Sequence, residues 1–272
     1  MAGTGKKWLI GCGVGCGVTI LLNIILFVGA GFLFTQPMNK AVGSQKKLAE
    51  AYGEPNDYVP GVDSLTPQRM EAFLAVRQVL MPACEEFEGI AGGFAAMDEL
   101  DSGGDEPSTK EIFQGLGKVM GSVKGLVTHM GEIMELRNEA LMEQEMGMGE
   151  YTWIYVLAFN SWLSYEPNTG IESTSGGEFG ARERSLIEDL LNAHADALAE
   201  AGRFEEAEIW RKEVEKMDWS GTGIPFEGIA LPREITMVLE AYRSRLEEAY
   251  CPPMTEFDLG QIKKRGFSYH SD

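Results

Sequence analysis

The chain has 272 residues, of which 42 are aspartate or glutamate and 23 are lysine or arginine, so its formal charge is −19 at pH 7. Residues 1–34 contain two bases and no acid, which leaves 21 bases against 42 acids, a difference of −21, in residues 35–272. Such a charge repels phosphate backbones and anionic headgroups, so we expect neither nucleic-acid binding nor a polybasic lipid contact. Because 44% of the residues are apolar, the chain can form a core, and general disorder is excluded.

The first predicted element is an uncharged run over residues 8–34. As a helix this run would be about 40 Å long, which exceeds the roughly 30 Å hydrocarbon layer of a bilayer. The small residues Gly29–Gly31 resemble a signal-peptide cleavage site, but the apolar run continues past them. We therefore predict that residues 1–35 form an uncleaved signal anchor that crosses a membrane once.

Lysines flank this anchor on both sides and bear on its orientation. Lys6 and Lys7 adjoin the apolar run directly, whereas Lys40, Lys46 and Lys47 follow it at a greater distance. The positive-inside rule is nearly balanced by count, but the closer pair favours a cytoplasmic N-terminus. The acidic part of the chain would then lie outside the cytoplasm.

Small and polar residues recur every four positions in the anchor, at Gly11, Gly15, Thr19 and Asn23. Such a ridge lets two helices approach closely, and an asparagine inside a membrane needs a hydrogen-bond partner. This ridge predicts packing against another helix, either a second copy of the chain or a partner subunit. The alternative is that glycine is simply common in membrane helices.

The remaining chain predicts helices and no strands. Residues 36–65 are interpreted as a juxtamembrane helix and a linker. Thr66 and Pro67 are typical of an N-cap and first turn, and the helix they begin should reach about Leu100, bent or split at Pro82. A second long helix should begin at Ser108 or Thr109. If it packs antiparallel to the first, the two helices form a bundle over residues 66–165.

An aromatic helix over about 150–165 closes that bundle, and a flexible loop follows at residues 166–180. The C-terminal part, residues 181–272, predicts helices at about 181–201, 203–218 and 232–250, followed by a tail. We therefore assign an all-α fold with one transmembrane helix followed by a soluble antiparallel helical bundle.

Residues 190–217 resemble one tetratricopeptide repeat unit. Ala195 and Ala207 stand where that repeat uses small residues. Gly202 stands at its turn, and Phe204 where it uses an aromatic residue. The likeness breaks at Arg211, and no second copy follows at the repeat period. A plain helical hairpin is the favoured interpretation, whereas a true repeat would imply a protein-binding surface.

Three strings carry a broader resemblance: KKWLIGCGVGCG, LTPQRMEAFLAVRQVLMPAC and GMGEYTWIYVLAF. They resemble a family of uncharacterised bacterial proteins with one membrane anchor and no known activity or cofactor. The resemblance implies the bacterial inner membrane, with the soluble part periplasmic or otherwise exported.

Cys84 and Cys251 are the only cysteines outside the anchor. In an oxidising compartment they can pair, which would join the long helix to the end of the last one. The alternative is two buried, reduced cysteines.

Catalytic signatures are absent from the sequence: it contains no G-x-S-x-G, H-E-x-x-H, phosphate-binding loop or C-x-x-C. His129 lies near Glu132 and Glu135, but a solvated helix face explains these residues better than a metal site. We expect no enzyme activity, no cofactor and no metal.

The segment Glu150, Tyr151, Trp153 and Tyr155 allows two interpretations. These residues could line an apolar ligand pocket, or the rings could pack inward behind an acid at a helix start. Taken together, the sequence favours a non-catalytic, membrane-anchored interaction or scaffold protein. The alternative is a ligand-binding or sensor domain that uses this aromatic segment.

Overall fold

A computed structural model describes residues 39–101, 131–166, 181–220, 224–227, 230–254 and Leu259. Within these ranges the fold is all-α, as the sequence predicted. The anchor, with its ridge at Gly11, Gly15, Thr19 and Asn23, lies outside the described residues. In the part of the chain that the structure describes, no helix is long and apolar enough to cross a membrane.

The first described helix, α1, covers residues 39–52. Its buried side chains are Ala41, Ser44 and Leu48, whose spacing of three and four places them on one face. Gly53 ends the helix with a φ of 81°, a conformation that favours glycine. A short 3₁₀ turn, Pro55–Asp57, then begins the linker.

Helix α2 spans Pro67–Asp101. Its predicted start is confirmed, because the Thr66 hydroxyl accepts a hydrogen bond from the Arg69 backbone N–H at 3.2 Å. The helix continues through Pro82 and is not split there.

Helix α3 covers residues 131–143, the end of the predicted second long helix, whose beginning lies outside the described ranges. Helix α4 is Met148–Tyr155, and it continues as a π-helical segment, Val156–Trp162. The Leu163 N–H bonds to the Ala158 carbonyl five residues earlier, as wider π-helical turns require. The sequence predicted the helix but not this change of winding.

The C-terminal helices begin with a hairpin of α5, Ala181–Glu200, and α6, Phe204–Ser220. Gly202, with a φ of 80°, forms the turn between them. The predicted last helix is instead two helices, α7 at Arg233–Ala241 and α8 at Arg243–Ala249. They are separated at Tyr242, and a 3₁₀ turn, Pro252–Met254, follows α8.

The core is built around α4 and its π-helical extension, in which every residue from Tyr151 to Ser161 is buried. Helix α2 packs on this centre from one side, through Phe73 against Tyr151 and Phe159. The α5–α6 hairpin packs on it through Trp210, whose ring lies 5.4 Å from Trp153.

Candidate functional site

The aromatic side chains of α4 fill the interior of the protein. Tyr151, Trp153 and Tyr155 are all buried. The Tyr151 ring centroid lies 5.3 Å from Phe73, and the Tyr155 centroid lies 4.8 Å from Phe159. Rings at these separations contact each other directly. This geometry favours core packing over a ligand pocket among these rings.

A buried histidine lies on the other side of this helix. His194 packs between Trp153 and Trp210, at centroid distances of 5.1 and 4.5 Å. Its Nδ1 lies 3.1 Å from the Pro60 carbonyl oxygen, which can only accept, so Nδ1 carries the proton. Burial lowers the pKa of His194, so the side chain is neutral at pH 7.

The acid of the aromatic segment is held in an ion pair. Two nitrogen atoms of Arg69 lie 2.5 and 2.6 Å from the two carboxylate oxygens of Glu150, which is a bidentate arrangement. Arg69 also donates to the Glu145 carbonyl oxygen at 3.1 Å. Burial, together with the charge of Glu150, raises the pKa of the Tyr58 hydroxyl. The contacts of Glu150 therefore join α2 to the start of α4.

The start of α4 also requires a glycine. A Cβ atom at Gly149 would collide with the Pro55 carbonyl oxygen and with Cβ of Tyr58. The absence of a side chain lets α4 lie directly against the linker that follows α1.

No group of three or more histidine, cysteine or acidic side chains in the described ranges is placed to hold a metal ion. His129 lies outside those ranges. Glu132 is exposed on α3, and Glu135 is half-buried.

A small cleft opens between α1 and α3, with room for about 10 Å³, roughly one water molecule. Drug-sized ligands need cavities of several hundred Å³. The cleft is lined by Gln45, Leu48, Ala49, Gly53, Glu54, Pro55, Arg137, Asn138 and Met148. None of the four residues predicted as a pocket lines it.

Three buried polar atoms lie in or next to the π-helical segment. Thr152 Oγ1, Asn160 Oδ1 and Ser161 Oγ have no hydrogen-bond partner in the described structure. Asn160 does donate from its amide nitrogen to the Tyr165 carbonyl oxygen at 2.8 Å. Buried polar atoms of this kind are commonly satisfied by ordered water.

The two cysteines meet at what we call the α2–α8 junction. The structure joins Cys84 to Cys251 by a disulfide bond, with Cα atoms 5.9 Å apart. Two turns earlier on α2, Arg77 is fully buried and donates two hydrogen bonds to the Ala249 carbonyl oxygen, at 3.0 and 2.9 Å. A third nitrogen of Arg77 donates to the Tyr151 hydroxyl at 3.0 Å. A covalent bond and a buried cation therefore hold α8 on α2.

A second contact, the α1–α3 junction, is purely non-covalent. The Asn138 amide donates to Ser44 Oγ at 3.0 Å, and Ser44 Oγ donates to the Ala41 carbonyl oxygen at 2.9 Å. Arg137, which is also buried, donates to Asn138 Oδ1. The Lys40 ammonium on α1 also lies 4.0 Å from the Glu135 carboxylate on α3.

Exposed apolar side chains lie on α6 and α7. Phe204, Ile209 and Met237 are 68%, 48% and 60% exposed. An ion pair of 2.7 Å between Arg203 and Glu234 joins the starts of these two helices. Scattered apolar residues are normal on a surface, so these three do not form a site by themselves.

Four buried ionisable residues were not anticipated from the sequence: Arg77, Arg137, His194 and Glu213. Charged side chains are expected outside unless they are paired, and pairing with a carbonyl or an amide has no sequence signature. The position of Arg77 within the apolar stretch Phe73–Leu80 was the one available signal.

Comparison of the chain with protein-family models, with curated proteins and with solved structures finds no match of any of the three kinds.

Proposed function

We propose that the protein is a non-catalytic, single-pass interaction or scaffold protein of the bacterial envelope, with its acidic helical domain outside the cytoplasm. Residues 8–34 supply the anchor, and the helical domain supplies the surface for a partner. The partner is either a second copy of this chain or another membrane protein.

The observation that carries the location is the disulfide at the α2–α8 junction. Disulfides persist in oxidising compartments and are rare in the cytosol. A domain that pairs Cys84 with Cys251 is therefore suited to the periplasm, and the uncharged anchor provides the means to hold it there.

The interaction role rests on the anchor ridge and on the domain surface. Gly15 and Asn23 would favour a helix contact within the bilayer. Phe204 and Met237 offer exposed apolar area on the domain. The net charge of −21 over residues 35–272 favours a partner with a basic surface.

Location can be tested with the full chain expressed in bacteria. We expect the protein to remain with membranes after alkaline extraction, and a periplasmic reporter to be active only when it is fused to the C-terminus. Release from the membranes, or activity only at the N-terminus, would contradict the proposal.

The helix contact can be tested by crosslinking in native membranes. Gly15→Leu with Asn23→Leu should abolish a crosslinked species, because both changes remove the close approach. Val18→Leu with Ile25→Leu is the matched control, since it changes two anchor residues outside the ridge and should leave the species intact. An unchanged species in the first variant would overturn the anchor contact.

The alternative of a ligand-binding domain predicts a different result. A hydrophobic compound that binds among the rings should raise the melting temperature, and Trp153→Ala should remove the effect. Under the proposal made here, we expect no such shift.

A further inference from the structure

Neither sulfur of the Cys84–Cys251 disulfide is open to another protein in the folded domain. Cys251 has no exposed surface, and Cys84 is 5% exposed. Ala249, two residues before Cys251, and Met254, three residues after it, are also buried. Thiol–disulfide exchange requires a thiolate to contact one of the two sulfur atoms. An enzyme can therefore form or reduce this bond only when part of the domain opens.

The contact next to the disulfide is made by the buried guanidinium of Arg77. It donates both of its hydrogen bonds with α8 to the carbonyl oxygen of Ala249, the last residue of that helix. On α2, Arg77 lies about two turns before Cys84, so the two residues share a face of the helix. Lifting α8 away from α2 breaks these buried hydrogen bonds and uncovers the side of α2 that carries Cys84.

Two further contacts between α8 and α2 lie at the surface. Arg245 pairs with Glu71 at 2.7 Å, and about half of each side chain is exposed. The hydroxyl of Tyr242, the residue before α8, donates to the Pro67 carbonyl oxygen at 3.3 Å. Exposed ion pairs contribute little to stability, whereas the loss of buried hydrogen bonds costs more. Of these three contacts, that of Arg77 therefore opposes the opening most.

The sequence next to Cys84 favours a catalysed reaction. Glu85, Glu86 and Glu88 follow this cysteine closely. Neighbouring negative charges disfavour the thiolate, which is the reactive form of cysteine. Without a catalyst, disulfide formation can take up to hours. An enzyme that supplies a reactive disulfide is therefore the expected oxidant.

From this burial and these contacts, we propose that a thiol–disulfide oxidoreductase of the C-x-x-C class is a partner of this domain, and that it reaches Cys84 and Cys251 only in an open state in which α8 has left α2. Arg77 controls access to the two sulfurs because it holds α8 in place. This route concerns contacts inside the domain, so it does not depend on the anchor of the proposed function.

Formation of the bond in the open state takes two steps. The thiolate of one cysteine attacks the disulfide of the enzyme, which forms a mixed disulfide and releases one enzyme thiolate. The thiolate of the other cysteine then attacks the sulfur of the first, so that the Cys84–Cys251 bond forms and the second enzyme thiolate leaves. Two electrons pass to the enzyme, and its two thiolates take up the two protons that the cysteines lose. Reduction is the same path in reverse, so its rate reports on the same open state.

The test measures reduction of the full chain, purified in detergent, by reduced thioredoxin, a C-x-x-C enzyme. Samples are alkylated at intervals, and alkylated Cys84 and Cys251 are quantified by mass spectrometry. Arg77→Met should be reduced about 5- to 150-fold faster than the parent protein, because the loss of buried hydrogen bonds raises the population of the open state. Arg245→Met is the matched control on the exposed pair and should be reduced at the parent rate.

A milder variant covers the case in which Arg77→Met does not fold. Tyr151→Phe keeps the aromatic ring but removes the hydroxyl that accepts a hydrogen bond from Arg77. It should accelerate reduction by a smaller factor than Arg77→Met, because both hydrogen bonds to Ala249 remain.

A second control separates opening of α8 from unfolding of the whole domain. Leu198 is buried on α5, which packs on α4 and α6. Leu198→Ala leaves a cavity that makes global unfolding easier, but the contacts of α8 remain, so reduction should proceed at the parent rate. Equal acceleration in Leu198→Ala and Arg77→Met would assign reduction to global unfolding and overturn the proposal. Parent rates in both Arg77→Met and Tyr151→Phe would overturn it as well.

Discussion

The α2–α8 junction and the α1–α3 junction hold helices together by opposite means. The first uses a disulfide and the buried guanidinium of Arg77, and it joins residues far apart in the chain. The second has no covalent bond and uses a short chain of hydrogen bonds from Arg137 through Asn138 to Ser44, near the first described residues of the domain. The difference indicates that the centre of the domain is fixed firmly, whereas its attachment to α1 is the weaker contact.

Removing the disulfide should give the largest effect. Cys84→Ala with Cys251→Ala should reduce the free energy of unfolding by about 2–5 kcal/mol, because the unfolded chain is no longer constrained. Urea unfolding followed by tryptophan fluorescence measures this change. Cys12→Ala with Cys16→Ala, outside the domain, should leave it unaffected. Alkylation of both Cys84 and Cys251 in the unreduced protein would show that the bond does not form.

Replacing the buried cation should give the next largest effect. Arg77→Met keeps most of the volume but removes the hydrogen bonds that Arg77 donates to the Ala249 carbonyl and the Tyr151 hydroxyl, at a cost of about 1–3 kcal/mol. Arg245→Met is the matched control, because Arg245 also joins α8 to α2, through Glu71 at 2.7 Å, but is exposed. Exposed pairs contribute little, so the control should unfold like the parent protein. Equal losses in the two variants would contradict the role of burial.

At the α1–α3 junction, Ser44→Ala should cost about 1 kcal/mol, since the Asn138 amide loses its acceptor. The same urea experiment applies, and Ser244→Ala on the exposed face of α8 is the control. A loss as large as that of the disulfide variant would mean that the two junctions are equally strong.

The smallest effect concerns the linker that follows α1, which His194 contacts. Because burial lowers the pKa of His194 in the folded state, the unfolded state binds the proton more readily. The contribution of neutral His194 to the free energy of unfolding is therefore present above the pKa of about 6.5 that histidine has in the unfolded chain. It is lost as the pH falls below that value. The melting temperature should decline between pH 7.5 and 5.5, and less so in His194→Gln. A parallel decline in that variant would assign the effect to another group.

The sequence predicted the helices better than it predicted their contacts. Thr66 and Pro67 located the start of α2, and Gly202 located the turn between α5 and α6, because caps and turns depend on local chemistry. The π-helical winding of Val156–Trp162 and the break at Tyr242 depend on packing between helices, which leaves no local pattern.

The candidate site was predictable only in part. The sequence brought Cys84 and Cys251 together as one of two open alternatives, since they are the only cysteines outside the anchor. For the aromatic segment the sequence left both a ligand pocket and core packing open, because aromatic rings are common in both. The contacts of these rings with Phe73 and His194, which come from other helices, are what favour core packing.

The α2–α8 junction also bears on how the protein is made. Its two cysteines are 167 residues apart, so α2 emerges from the ribosome long before its partner. At about 5–20 residues per second, that interval is roughly 8–33 s. During that time the side of α2 that carries Phe73, Arg77 and Cys84 lacks its α8 contacts. The domain can complete its core only after α8 and Cys251 have been synthesised and, in an exported protein, translocated.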